Sequence, residues 1–187
     1  MSLKNRKQIV IDANVGHSAS SDERFNPQVG RRSDHSRQCL QAVWEERHVA
    51  VFNRQLREEW ERHASGYARS WLSRMTMKER LVDEEGEQFL QLLGPACSSH
   101  ENAAHRAALA KDFHLIRSAL ASGQLIVSDE TNFPTFVAAS CSSVPELTAL
   151  HYGNPGVEGE VCKLWIKSGA EKEPSRRIDA WALNYVL

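Results

Sequence analysis

The sequence predicts an α/β domain of three layers, α/β/α, built on a central parallel sheet. Two observations carry this. The runs Gln8–Ile11, Val49–Phe52 and Leu125–Val127 are short, continuous and apolar, which suits strands buried on both faces rather than strands with one wet face. The stretches between them place apolar residues at helical spacing, and strands that alternate with helices pair in parallel through right-handed crossovers. A chain of 187 residues makes one domain with a real core and is short for two, so 1–187 reads as a single unit with its core over about 8–152 and a C-terminal extension over 153–187.

Taken in order, the first strand ends abruptly at Asp12. Residues 17–33 are rich in Ser, Asp, Asn, Pro, Gly and Arg, show neither helical nor strand periodicity, and read as a loop. Cys39, Leu40, Val43 and Trp44 then mark a helix over 34–46 ahead of the second strand. Asn53 is placed to cap a helix over 54–64, and after Ser65-Gly66 a further helix carries Tyr67, Trp71, Leu72 and Met75. Gly86 and Gly94-Pro95 break the periodicity between that helix and residue 103. Residues 103–121 are rich in Ala and Leu and close at Ser122-Gly123, a strong helix signal before the third strand. A fourth strand is expected near 147–150, then a short helix around 158–167 and a charged stretch before Trp181 and Leu183. No internal repeat is present.

Twenty-three basic residues balance 24 acidic ones, for a formal charge of −1, so no global positive field announces a nucleic acid; a phosphate-binding surface must be local. Cys39, Cys97, Cys141 and Cys162 lack the paired spacing of a zinc site and read as reduced thiols. The N-terminus is far shorter in apolar residues than a signal core or a membrane span, so a cytoplasmic location is the expectation.

Asp12 and Asp129 each follow an apolar strand directly, at the sheet edge where α/β proteins bind ligands. On a helical wheel, Leu56, Trp60 and Tyr67 define a buried face, with Glu59 about 80° from its middle, Glu61 about 120° and Glu58 about 180°. Glu59 therefore borders a cleft while Glu58 faces solvent. On the 103–121 helix, Leu109, Phe113, Ile116 and Leu120 form the buried stripe and Asp112 lies about 40° from Ile116. A carboxylate there needs a partner, whether Arg106, Lys111, Arg117 or a metal ion. Clustered carboxylates repel one another, and a divalent cation supplies the missing charge. Mg²⁺ and Mn²⁺ prefer oxygen ligands and, with an activated water, suit phosphodiester hydrolysis.

The segments IVIDANV, NRQLREEW and KDFHLI…IVSDET resemble, in this order, the motifs of PIN-domain nucleases. The resemblance covers roughly residues 8–152. It implies a PIN-like α/β/α fold, acids at Asp12, Glu59, Asp112 and Asp129 that bind Mg²⁺ or Mn²⁺, and endonucleolytic cleavage of RNA. Many members of that family are toxins paired with an antitoxin protein, which also makes an antitoxin partner and a homodimer expectations. The family commonly spaces a small polar residue and its last acid by one residue, whereas Ser128 directly precedes Asp129, so Glu130 is the alternative for that place.

Other side chains are weighed beside these. Asn14 either forms a turn or orients an acid, and Ser128 is placed to hydrogen-bond a ligand carboxylate. Arg24, Arg31, Arg32 and Arg37 lie in or beside the loop leaving Asp12 and are candidates for phosphate, against the ordinary reading of a solvated charged face. His17, His63 and His114 flank the acid motifs and read as solvated or locally bonded. Trp44, Trp60, Trp71 and Trp165 read as core. Two other functions compete with the nuclease: a non-catalytic PIN-like module that binds RNA or a protein, and an aspartyl phosphatase, for which Asp12-Ala13-Asn14 lacks the usual second Asp.

Overall fold

A computed structural model of the chain describes residues 6–20 and 27–185. Its centre is a five-stranded sheet in the order β3-β2-β1-β4-β5: β1 (Gln8–Ile11), β2 (Val49–Phe52), β3 (Leu81–Asp83), β4 (Leu125–Val127) and β5 (His151–Gly153). Every neighbouring pair is parallel. The chain therefore builds outward from β1 to β3 on one side, then returns to lay β4 and β5 on the other. The turning point lies between β1 and β4, and the two loops leaving those strands diverge there and open a crevice.

The helices flank this sheet as the sequence predicts, completing the α/β/α layers. They are α1 (Ala13–Ser18), α2 (Pro27–Glu45), α3 (Arg54–His63), α4 (Gly66–Met77) and α5 (Leu93–Ser98) in the first half of the chain. In the second half they are α6 (Ala103–Leu120), α7 (Phe133–Ser140), α8 (Pro155–Glu158), α9 (Glu160–Lys167) and α10 (Ile178–Tyr185). On one side α2 packs against α4 and α9; α6 crosses β1, β2 and β4, and α7 joins α6 to α10. Asn53 caps α3 by accepting from the Leu56 amide at 2.8 Å, and Ser65 caps α4.

Two expectations are corrected, and one strand was not foreseen. The stretch 17–33 is not a loop throughout, because α1 reaches Ser18 and α2 begins at Pro27. Proline is favoured as a first helical residue, and α2 is held by its contacts with α4, α8 and α9 rather than by a clear apolar stripe at its start. The fourth strand expected near 147–150 begins only after that stretch, since Pro145–Ala149 forms a 3-10 turn and β5 takes His151–Gly153. A His-Tyr-Gly strand carries no apolar run, and its glycine is needed because a Cβ on Gly153 would stand 2.8 Å from the Trp165 ring. The edge strand β3 has no sequence signal, because its residues are half or fully exposed and show no buried face.

The core is anchored by indoles. Trp60 and Trp71 are fully buried and stack at 5.7 Å between ring centres. Their ring N–H groups donate to the Ile11 and Leu40 carbonyls at 2.9 and 2.7 Å. The Trp60 bond ties α3 to the last residue of β1, one position before Asp12. Gly16 lets α1 lie on the same ring, as a Cβ there would come within 3.0 Å of Trp60. Trp165 is also core, while Trp44 is only partly covered.

The C-terminal extension belongs to this core. Trp181 is fully buried and meets Tyr152 edge-on at 4.8 Å, and Arg176 forms a buried ion pair with Glu158 at 2.5 Å. Among the described residues, no helix is long and apolar enough to cross a membrane.

Candidate active site

Asp12 stands where β1 gives way to α1, and its backbone N–H still bonds to Val127 of β4 at 2.9 Å. Its carboxylate is held on both sides. One oxygen accepts from Ser128 Oγ at 2.7 Å, and the other accepts from the Asn14 amide at 3.4 Å as the N-cap of α1. Asn14 bridges the two strand ends: its Nδ2 donates to Ser128 Oγ at 3.3 Å while its Oδ1 accepts from the Asp129 amide at 2.9 Å. Ser128 thus bonds the Asp12 carboxylate directly, and the Asn14 side chain links Ser128 to the Asp129 backbone. Tyr152 supports it from below, donating to the carbonyls of Ser128 and Glu130.

This strand-end turn floors a cleft of about 350 Å³. Its acids are Asp12, Glu59, Asp112 and Glu130, and its rim includes His17, His63, Arg62 and Lys111. Glu59 arrives from α3 as the wheel ranks it, with its side chain 22 % exposed against 51 % for Glu58. Asp112 comes from α6 and finds Lys111 at 3.6 Å, one of the partners considered for it.

Asp129 stands apart from these acids. It does not line the cleft; its carboxylate is fully buried on the other side of the turn, where it accepts from Ser18 Oγ at 2.7 Å and pairs with Arg32 at 2.5 Å. Arg32 also donates to the Asp129 carbonyl at 2.9 Å. With Asp129 turned to α2, the neighbouring Glu130 is the acid of this turn that lines the cleft. The spacing irregularity at Ser128-Asp129 is the sequence signal for this exchange. Arg32 is accordingly a structural partner and not a free phosphate ligand. Arg31 is exposed on α2 and outside the cleft lining, Arg37 pairs with Asp34 and the Ser20 carbonyl, and Arg24 lies outside the described residues.

His114 holds a position that its sequence pattern does not reveal. It is 4 % exposed, and its Nε2 stands 3.5 Å from Glu59. On the wheel it lies about 130° from the middle of the apolar stripe of α6, in keeping with the solvated or locally bonded reading. In the fold that position is enclosed, with Glu59 of α3 against the ring, Asn53 donating to the His114 carbonyl at 2.9 Å, and the ring Nδ1 bonded locally to the Lys111 carbonyl at 3.0 Å. His17 and His63 sit at the rim, joined by a bond from the His17 ring to the His63 carbonyl at 3.2 Å.

The electrostatics of the cleft are those of crowded acids. Burial, then repulsion from Asp112 and Glu59, raises the Asp12 carboxyl from 3.8 to about 7, against the opposing pull of the Ser128 bond. Asp112 is raised by burial and by Glu130, with Lys111 and His114 opposing. Burial lowers His114, and the nearby Glu59 works against that.

The donor set is all oxygen, which fits a hard divalent cation by its chemistry. Among the described residues, though, no three His, Cys, Asp or Glu side chains stand close enough together to hold a metal ion as they are. Compared with protein-family models, curated proteins and solved structures, the chain matches none.

Proposed function

We propose that this chain is a metal-dependent ribonuclease of PIN-like type that hydrolyses RNA phosphodiester bonds in the cleft between β1 and β4. One observation supports the reading above all others: four carboxylates from separate elements line one cleft at the turning point of a parallel sheet, and burial raises the Asp12 carboxyl among them to about 7, so that added positive charge would favour its ionised form. Asp12, Glu59, Asp112 and Glu130 would hold Mg²⁺ or Mn²⁺, partly through retained waters given their separation. Such an ion supplies charge to a phosphoryl oxygen and acidifies water.

The chain's own residues do the rest. Ser128 and Asn14 fix the Asp12 carboxylate, so its lone pairs are aimed before any ligand arrives. His114 stands behind Glu59 and limits where that longer side chain rests. Lys111, Arg62 and His63 on the rim are placed to meet phosphate oxygens of a strand lying across the acids. No side-chain nucleophile is required. A toxin role with an antitoxin partner, action as a homodimer and a cytoplasmic site of action belong to the same proposal, on the strength of the motif resemblance.

The test is Mn²⁺ titration by calorimetry together with RNA cleavage. The wild type binds Mn²⁺ and cuts. Asp12→Asn and Asp112→Asn stay folded, lose Mn²⁺ affinity and lose cleavage by at least about 100-fold, the scale of removing one preorganised charged group. Undiminished cleavage by both variants would sink the assignment. Glu130→Gln falls with them, while Asp129→Asn acts on stability.

A second reading, a module that binds RNA or protein without cutting, draws on the separation of the acids. Absence of any Mn²⁺ binding that depends on Asp12 would favour it.

A further inference from the structure

The opposite edge of the sheet carries a second cavity, of about 440 Å³, lined by Arg6, Trp44, Glu45, Arg47, Lys78 and Arg80. Its cations are assembled by topology. Arg6, Arg47 and Arg80 stand just ahead of β1, β2 and β3, so three adjacent parallel strands deliver one arginine each to the same edge, and Lys78 joins them from the end of α4.

Four cations and one acid line this space, and the acid is committed elsewhere. Glu45 pairs with Lys167 at 3.1 Å and accepts from Gln41 at 3.0 Å. Among the described residues, no ion pair joins Arg6, Arg47 or Lys78 to a carboxylate. Arg80 forms the rigid back wall: it is 7 % exposed, donates to the Trp44 carbonyl at 2.8 Å and lies over the Trp44 ring at 4.1 Å. Arg74 covers the same ring at 5.1 Å, so Trp44 serves as a platform for guanidinium groups and not as a stacking surface for a base. Burial, then repulsion from Arg6 and Arg47, lowers Arg80 from its ordinary range. Unbalanced like charges around a concave space lose that repulsion when an anion enters.

We propose that this cavity is an anion-binding site for a ligand bearing two or more adjacent phosphate groups. A single phosphate can be met by one guanidinium, whereas cations spread over three strand ends and a helix end match a longer run of negative charge. Arg80 is the fixed contact, and Arg6, Arg47 and Lys78 close on the ligand from the open side. The source of the phosphates is either a free oligophosphate or the backbone of an RNA strand. The site lies at the far end of the strands from the carboxylate cleft and does not depend on the cleft's chemistry.

Calorimetric titration of the full chain with inorganic tripolyphosphate at low salt tests this. The wild type binds, and affinity falls as salt is raised. Arg47→Gln with Lys78→Gln, both exposed positions, weakens binding at least tenfold while the circular dichroism spectrum is unchanged. Asp12→Asn binds as the wild type does, which separates this site from the cleft. A single-stranded RNA oligonucleotide that competes with tripolyphosphate identifies the backbone as the source, and one that does not identifies a free oligophosphate. No binding by the wild type, or binding that the double variant leaves intact, overturns the proposal.

Discussion

At the carboxyl edge of the sheet, acids from β1, α3, α6 and the loop after β4 are gathered around one cleft; at the amino edge, cations from the residues ahead of β1, β2 and β3 are gathered around another. The most buried acid of the cleft is tied down. Asp12 is buried and fixed by Ser128 and Asn14, and its neighbour Asp129 is buried against Arg32. Of the cations, only Arg80 is fixed this way, while Arg6, Arg47 and Lys78 are exposed. Like charge that is buried is stored as strain on ionisation, whereas like charge in solvent is largely screened. The acid end should therefore govern stability, and the basic end should show itself mainly in ligand binding.

The largest effect belongs to Asp12. Its folded carboxyl is raised to about 7 from 3.8, so the stability it allows is fully present below about pH 4 and is lost as pH rises through 7. Three pKa units correspond to roughly 4 kcal/mol, an upper bound. Asp12→Asn, which cannot ionise, is expected to be more stable than the wild type at pH 8 by up to that amount, and the difference is expected to vanish at pH 4. Urea denaturation at both values measures it. A difference between variant and wild type that is the same at both values would mean that the acid end carries no stored charge.

Next in size is Arg32→Ala. It leaves the fully buried Asp129 carboxylate without its ion-pair partner, and the expected loss is about 3 kcal/mol. Asp129→Ala should cost less, because Arg32 is 53 % exposed and returns to water. The order of the two midpoints in a thermal melt checks this asymmetry, and it also separates Asp129 as a structural acid from Glu130 as a cleft acid.

The smallest effect is at the basic end. Arg47→Gln with Lys78→Gln should change stability by no more than about 0.5 kcal/mol without ligand, as exposed substitutions usually do. A larger change in the same urea titration would mean that the cations are part of the fold and that the two ends are alike after all.

Much of the cleft is legible in the sequence. Asp12 is marked by the end of an apolar run, and Glu59 is separated from Glu58 by the wheel because Leu56 and Trp60 define a single buried face on α3. Asp112 is legible for the same reason on α6. The wheel does not reveal the burial of His114, because it assumes a helix with one buried face and α6 is covered on more than one. It says nothing of the turn at 128–130, where backbone direction decides which carboxylate faces the cleft. The basic cavity leaves no motif at all, since Arg6, Arg47, Lys78 and Arg80 are brought together only by strand order.

Local pattern by itself determined the α/β alternation, β1, β2 and β4, the capped helices α3 and α4, and three of the four cleft acids, because continuous apolar runs and helical periodicity are properties of neighbouring residues. Tertiary structure alone decided the rest. The order β3-β2-β1-β4-β5 put the turning point between β1 and β4 and set three arginines side by side at the other edge. The buried pair with Arg32 turned Asp129 away and left the cleft to Glu130. Both outcomes depend on contacts between residues far apart in the chain, and no local periodicity encodes them.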